Sequence, residues 1–198
     1  MLPNKKYSVI YADPPWDFKN WSDKGMYVPP VKGKGGGSKN AKMHYPCMSI
    51  KDICEIPVSN IADDDCVLLM WTTDPMLEKS FEVIKSWGFT YKTMGFVWAK
   101  TNKTNLGFFK GLGYWTRANP EYCLLATKGK PKRVSNDVST LVVSERREHS
   151  RKPDEMYVHI EKLLDGPYIE LFARNKRDGW DSWGNQTDKF KTGRTNDS

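Results

Sequence analysis

No apolar run in this sequence is long enough to cross a membrane. The longest uncharged apolar stretch, Cys66-Val67-Leu68-Leu69-Met70-Trp71, is six residues, far short of the roughly 20 a spanning helix needs. No secretory leader is visible either, because Met1-Leu2-Pro3-Asn4-Lys5-Lys6 passes directly into a strand-like run. A cytosolic chain is the expectation. The four cysteines, Cys47, Cys54, Cys66 and Cys123, show no C-x-x-C spacing, so neither a disulfide framework nor a metal centre is expected. Histidine is scarce, and His149 stands alone in a basic loop, the setting of a solvated residue rather than a catalytic base. Glycine is plentiful but unpatterned. The stretch Lys32 to Lys42 fails the G-x-x-x-x-G-K-[ST] phosphate-loop pattern, since Gly37 is followed by Ser38-Lys39.

What is present is one domain's worth of chain, 198 residues, with 31 Lys and Arg against 24 Asp and Glu and an aromatic share of 13%. Such a composition can bury a core. The formal charge of +7 suggests a polyanionic partner, although scattered surface cations give the same total.

Tyr7 to Ala12 reads as a buried strand that stops at Asp13-Pro14-Pro15, because proline cannot continue a hydrogen-bond ladder. Residues 17 to 45 form a long aperiodic loop, within which Lys32 to Lys42 is read as a flexible basic arm closing over nucleic acid or as a solvated loop. Ser49 caps a short helix, and Cys66 to Trp71 is apolar enough for a strand covered on both faces. From Pro75, Leu77, Phe81, Ile84 and Trp87 recur at helical spacing up to Gly88. Phe89 to Ala99, Glu121 to Thr127, Leu141 to Val143 and Tyr168 to Ala173 are strands, and Pro153 to Leu164 is a helix. Trp71, Trp87 and Trp98 are expected in the core, whereas Trp180 and Trp183 suit either core or ligand. Alternating strands and helices predict an α/β fold with a mostly parallel sheet flanked by helices, whose ligands bind beyond the carboxyl ends of the strands.

Two strands end in chemistry, one at Asp13-Pro14-Pro15-Trp16 and one at Arg174-Asn175. Asp13 and the Pro14 carbonyl are two acceptors, and neither Pro14 nor Pro15 brings a competing N–H. Trp16 offers a flat face on which a ring could stack. That set fits an exocyclic amine on an aromatic base, drawn toward a tetrahedral, nucleophilic geometry by accepting both of its hydrogens. Such an amine then needs only an activated electrophile held close by.

The sequence resembles the MT-A70 family of adenine N(6)-methyltransferases from Tyr7 to Gln186. The resemblance rests on Ala12-Asp13-Pro14-Pro15-Trp16, Tyr45-Pro46-Cys47-Met48-Ser49, Leu69-Met70-Trp71-Thr72-Thr73 and Phe96-Val97-Trp98-Ala99-Lys100-Thr101. It continues in Glu121 to Gly129, His149 to Glu155, Glu170 to Arg174 and Trp183-Gly184-Asn185-Gln186. It implies a Rossmann-like S-adenosylmethionine-dependent methyltransferase fold over residues 1–186, followed by a polar basic tail over 187–198. It also implies S-adenosylmethionine as methyl donor, with no metal. Asp13, Pro14, Pro15 and Trp16 become the catalytic set, and Tyr45 and Glu121 contact the target base. Asp13, Lys152, Arg174, Asn175, Asn185 and Gln186 bind the donor. Family members lack the F-x-G-x-G donor loop of many other methyltransferases, and so does this chain. The acidic segment that contacts the donor's adenine in larger members has no counterpart before Asp13, which shifts weight onto Asn185 and Gln186.

DNA is the expected substrate, since small members of this kind resemble bacterial or phage enzymes of the cytoplasm. RNA methylation is the alternative, and a catalytically silent nucleic-acid-binding subunit is the alternative from another class. Phosphate contact is expected from Lys130, Lys132 and Arg133 in the run Lys128 to Arg133, with Arg146, Arg147, Arg151 and Lys152 adding to it. Lys100 to Trp115 corresponds to a dimer interface in some relatives, which leaves a homodimer open. With the catalytic domain using almost the whole chain, little remains for a target-recognition module, and relaxed sequence specificity is expected.

Overall fold

The computed structural model describes residues 1–17, 47–103, 107–113, 115–147, 151–185 and 187. Tyr45, the basic stretch Lys32 to Lys42, His149, Gln186 and nearly all of the tail lie outside them.

Seven strands form one sheet: β1 (Tyr7–Ala12), β2 (Ala62–Thr72), β3 (Thr90–Thr101), β4 (Glu121–Lys128), β5 (Leu141–Glu145), β6 (Tyr168–Leu171) and β7 (Trp180–Trp183). Their order across the sheet is β5-β3-β4-β2-β1-β6-β7. The helices are α1 (Ile50–Cys54), α2 (Leu77–Ser86) and α3 (Glu155–Leu163). None is long and apolar enough to cross a membrane.

The apolar run of β2 divides its side chains between two buried faces, as a period of two requires. Cys66, Leu68 and Met70 join Tyr7, Ile10 and Ala12 of β1 on the face covered by Ile53 of α1 and by Val83, Ile84 and Trp87 from α2 and its C-cap. Val67, Leu69 and Trp71 join Val9 and Tyr11 on the opposite face, beneath Met156, Tyr157 and Ile160 of α3. The expected core tryptophans Trp71, Trp87 and Trp98 are buried, and so is Trp180. The Ser49 cap is also found, its hydroxyl accepting from the Asp52 N–H at 3.1 Å.

The sheet is mostly parallel, as expected, with one exception: β4 runs antiparallel to both β2 and β3 while every other strand pair is parallel. Two other features depart from the sequence expectation. A seventh strand, Trp180–Trp183, pairs with β6; it is too short for alternation to announce it. The α2 stripe is shifted, since Phe81 is 39% exposed and packs edge-on against Tyr91, while Ser80 and Val83 face the core.

The reversal of β4 matters most for the site. Asp13 follows β1, and the carboxyl ends of β1, β2, β3 and β6 all lie at one edge of the sheet. A parallel β4 would bring its last residue to that edge. Reversed, it brings its first, so Glu121 lies there, opposite Trp98 of β3. Lys128 is carried to the other edge, opposite Cys66.

β6 ends abruptly at Leu171. Phe172 has φ 61, a left-handed conformation costing a bulky residue about 1–3 kcal/mol. The Ala173 N–H then donates to the Trp183 carbonyl at 3.0 Å, and a Cβ on Gly184 would press against the Ala173 backbone. This bend directs Arg174 and Asn175 into the cleft at the Asp13 edge.

Candidate active site

The cleft is lined by Tyr11 and Asp13 of β1 and its end, by Arg151, Lys152, Pro153, Asp154 and Tyr157 leading into α3, and by Glu170, Phe172, Arg174 and Asn175 at the end of β6. Of the residues expected at the site, the fold thus brings Asp13, Arg151, Lys152, Arg174 and Asn175 together. Glu121 adjoins them through Lys152, and Asn185 follows β7 on the same side of the sheet.

Four ionic groups form a chain at its floor. The Lys152 ammonium donates to Asp13 Oδ2 at 2.7 Å and lies 3.2 Å from Glu121 Oε2. The other oxygen of Glu121, Oε1, is 2.7 Å from the Lys100 ammonium. All four side chains are less than one fifth exposed, so their charges are poorly screened. Two cations balance two carboxylates. Burial by itself would raise the Glu121 carboxyl, but Lys152 and then Lys100 outweigh it and hold its pKa down at about 2. Burial likewise opposes the charge of Lys152, yet Asp13 and Glu121 keep that ammonium protonated beyond its ordinary range.

The Asp-Pro-Pro-Trp segment is bent back on itself. The Trp16 N–H donates to the Pro14 carbonyl at 2.9 Å, so that acceptor keeps one lone pair for a ligand. The Pro15 carbonyl accepts from the Met48 N–H at 2.9 Å, which ties the start of the next segment to the bend. Trp16 departs from expectation. It is 4% exposed, packs in the core, and donates its indole N–H to the Trp71 carbonyl at 3.1 Å. The bend folds the ring inward, and the face expected to stack on a base is covered.

The basic run also departs from expectation. Lys130, Lys132 and Arg133 follow β4, whose reversal places its end about 20 Å from Glu121 at strand rise. Gly129, at φ +65, turns the chain against the start of β2, where the Lys130 N–H donates to Asp65 Oδ1 at 2.6 Å. A Cβ at Gly129 would collide with the Asp64 carbonyl, so this turn requires glycine. Arg146 and Arg147, which follow β5, and Arg151 do border the Asp13 edge, alongside Lys100, Lys152 and Arg174.

The cleft also holds residues that sequence reading passed over. Tyr157 donates to Glu170 Oε2 at 2.8 Å, and Trp71 donates its indole N–H to the Tyr11 hydroxyl at 2.6 Å. A carboxylate within the apolar run Tyr168-Ile169-Glu170-Leu171-Phe172 was the available signal. Burial raises the Glu170 carboxyl to about 7, against the lowering effect of the Tyr157 hydrogen bond. Because this folded-state pKa lies above the ordinary value of 4.5, the folded chain binds more protons than the unfolded one between those two pH values. Stability therefore falls as pH rises through that window. Glu170→Gln, whose amide oxygen can still accept from Tyr157, should abolish a loss of about 3 kcal/mol between pH 4.5 and 7.5. Urea denaturation at the two pH values tests this, and equal losses in both proteins would show that Glu170 ionises normally.

Comparison with known proteins agrees with this arrangement. The MT-A70 family profile matches residues 7–186, nearly the full described sheet and cleft. The type II methyltransferase M.MunI of Mycoplasma sp. is 39% identical over 92% of this chain and 78% of its own length. The N(6)-adenosine-methyltransferase MT-A70-like protein of Drosophila melanogaster is 31% identical over 94% of the chain and 28% of its own length. The catalytic subunit METTL3 of the human N(6)-adenosine-methyltransferase is 29% identical over 92% of the chain and 28% of its own length. The chain thus spans most of the Mycoplasma protein but little more than a quarter of the two animal ones. With the profile covering both the strand-end carboxylate and the residues that face it across the cleft, the chain belongs to the MT-A70 family.

Proposed function

We propose that the protein transfers a methyl group from S-adenosylmethionine to the 6-amino group of adenine in DNA, on a Rossmann-like methyltransferase fold. The observation that carries this reading is the Asp13 carboxylate at a strand end, beside a Pro14 carbonyl with a free lone pair and facing the cleft that holds Lys152, Glu170 and Arg174. An adenine amine has two N–H donors, and these are two acceptors on adjoining residues. Accepting both hydrogens localises the nitrogen lone pair without any strong base.

The cleft fits the donor in its chemistry. S-adenosylmethionine supplies, when bound, an electrophilic methyl on a cationic sulfur, together with an ammonium, a carboxylate and ribose hydroxyls. Lys152 and Arg151 suit the carboxylate, Asp13 and Glu170 suit the cationic centres, and Arg174, Asn175 and Asn185 suit the hydroxyls. Asp13 also neutralises the developing positive charge on the amine as it is alkylated.

DNA is favoured because the match to the type II methyltransferase is the stronger and spans most of that protein. RNA is the second reading, favoured by the similarity to adenosine methyltransferases. A duplex would have to extrude its target base to reach Asp13, at a cost of a few kcal/mol. The test is incubation with labelled donor and single- and double-stranded DNA and RNA oligonucleotides, followed by digestion to nucleosides. N(6)-methyldeoxyadenosine is the expected product. N(6)-methyladenosine alone would reassign the substrate to RNA, and no product from any oligonucleotide would end the proposal.

A further inference from the structure

Lys100 belongs to the Phe96 to Thr101 segment, but nothing in the methyl-transfer reading uses it. It ends the chain of four charges, one residue before β3 finishes, and the fold takes care to place it. The Asn119 side chain accepts from the Lys100 N–H at 2.9 Å and donates to its carbonyl at 2.9 Å, replacing the strand partner that β4 ceases to supply before Glu121. The same amide donates to the Phe109 carbonyl. A side-chain amide paired with both backbone groups of one residue fixes the direction in which that residue's own side chain leaves.

That direction leads to Glu121. Each oxygen of this carboxylate serves one cation, Oε1 the Lys100 ammonium and Oε2 that of Lys152. The Lys152 ammonium is nearer to Asp13, at 2.7 Å, than to Glu121, at 3.2 Å. We propose that Lys100 is a positioning residue which, by holding one oxygen of Glu121 and half-satisfying its charge, keeps Lys152 on the Asp13 side of the cleft. Without Lys100, Glu121 is a partly buried carboxylate with Lys152 as its one cation among the described residues, and it competes with Asp13 for Lys152. Asp13 reaches Glu121 through Lys152, so among the described residues these three groups, from β3, from the segment before α3 and from the end of β1, make up the charged surroundings of Glu121. The proposal rests on methyl transfer at Asp13 for its kinetic consequence, but the charge arrangement can be measured without turnover.

Lys100→Met should lower kcat for adenine methylation about tenfold, as expected when a charge-assisted hydrogen bond acts through an intermediary, with the donor KM changed less. Lys100→Arg should restore most of the loss. Glu121 should acquire an ionisation above pH 4.5 in Lys100→Met, because burial then has only one opposing cation. This would be read from the titration of carboxyl-labelled glutamate by NMR and from a new acidic limb in the rate profile, distinct from the Glu170 step near pH 7. In a Glu121→Gln background, Lys100→Met should have little further effect on kcat, because its route of action is gone. An unchanged Glu121 titration would overturn the proposal, as would an equal loss in the Glu121→Gln background, which would assign Lys100 a direct contact instead. Thermal melts keep a misfolded variant from counting on either side, with Lys100→Gln as the replacement if Lys100→Met fails to fold. A shifted Glu121 titration in a protein whose wild type methylates nothing would sink the methyl-transfer reading and leave the Lys100 assignment standing.

Discussion

Asp13→Ala is expected to reduce methyl transfer by about 10²–10³-fold or more, the size of effect seen when one preorganised electrostatic group is removed from a reacting centre. The substitution deletes the acceptor that shapes the amine and the negative charge that offsets the alkylated nitrogen. It leaves Lys152 beside Glu121, 3.2 Å away, so the ammonium retains one partner and the fold should survive. Binding of S-adenosylmethionine, followed by calorimetry, should weaken far less than turnover. Asp13→Asn should fall between the two, because the amide keeps an acceptor but loses the charge. Substantial turnover by Asp13→Ala would show that the carboxylate is structural.

Lys152→Met should have the larger effect on stability. It leaves the partly buried carboxylates of Asp13 and Glu121 with Lys100, on Glu121, as the remaining cation of the chain of four, and since removing one partner of a fully buried pair costs about 3–5 kcal/mol, a loss at the lower end of that range is expected. The pH dependence follows from the wild-type pKa values. Glu121, depressed to about 2, contributes stability above its ordinary 4.5 that is lost as pH falls toward 2. Lys152, raised above its ordinary value, contributes stability below that value that is lost at more alkaline pH. Both contributions are fully present at neutral pH, so the deficit of Lys152→Met should be greatest there and shrink in acid as Glu121 protonates. Denaturant midpoints at pH 3 and pH 7, on either side of most of the Glu121 window, measure this; a variant as stable as wild type at pH 7 would mean that water already screens the cluster.

Much of the fold is legible in local sequence because periodicity reports burial. Tyr7 to Ala12 and the continuous Cys66 to Trp71 could be placed on a doubly covered sheet from their apolarity alone, and Pro153 and Gly166-Pro167 bracket α3. The direction of β4 was not legible. Strand sense is set by the connection and by pairing partners far away in sequence, and Glu121 to Lys128 has the same apolar character read in either direction. That one missing bit explains the largest error at the site, the transfer of Lys130, Lys132 and Arg133 to the opposite edge.

Trp16 shows a second limit. Its residue type suits stacking on a base and filling a core equally well, and only the Asp-Pro-Pro bend with the Trp71 carbonyl decides between them. Asp13, Lys152 and Glu121 could be singled out because their motifs are distinctive, and the fold brings the three together. Lys100, Tyr157 and Glu170 escaped because what singles them out is the ion pair or hydrogen bond each makes, which no local pattern encodes.

The position of β1 in the sheet bears on how the protein comes into being. β1 lies between β2 and β6, so its second edge waits for residues 168–171. Asp13 and Lys152 are separated by 139 positions in sequence, and Asn185 arrives later still. No N-terminal fragment that stops short of β6 can pair β1 on both edges, and during synthesis the Asp13 strand must remain half-paired until residues 168–171 have left the ribosome. Folding dominated by such distant pairings is slow and exposes strand edges while it proceeds. A nascent chain released before β6 would therefore carry Asp13 on an open, aggregation-prone edge, and the cleft can form only after β6 has been made.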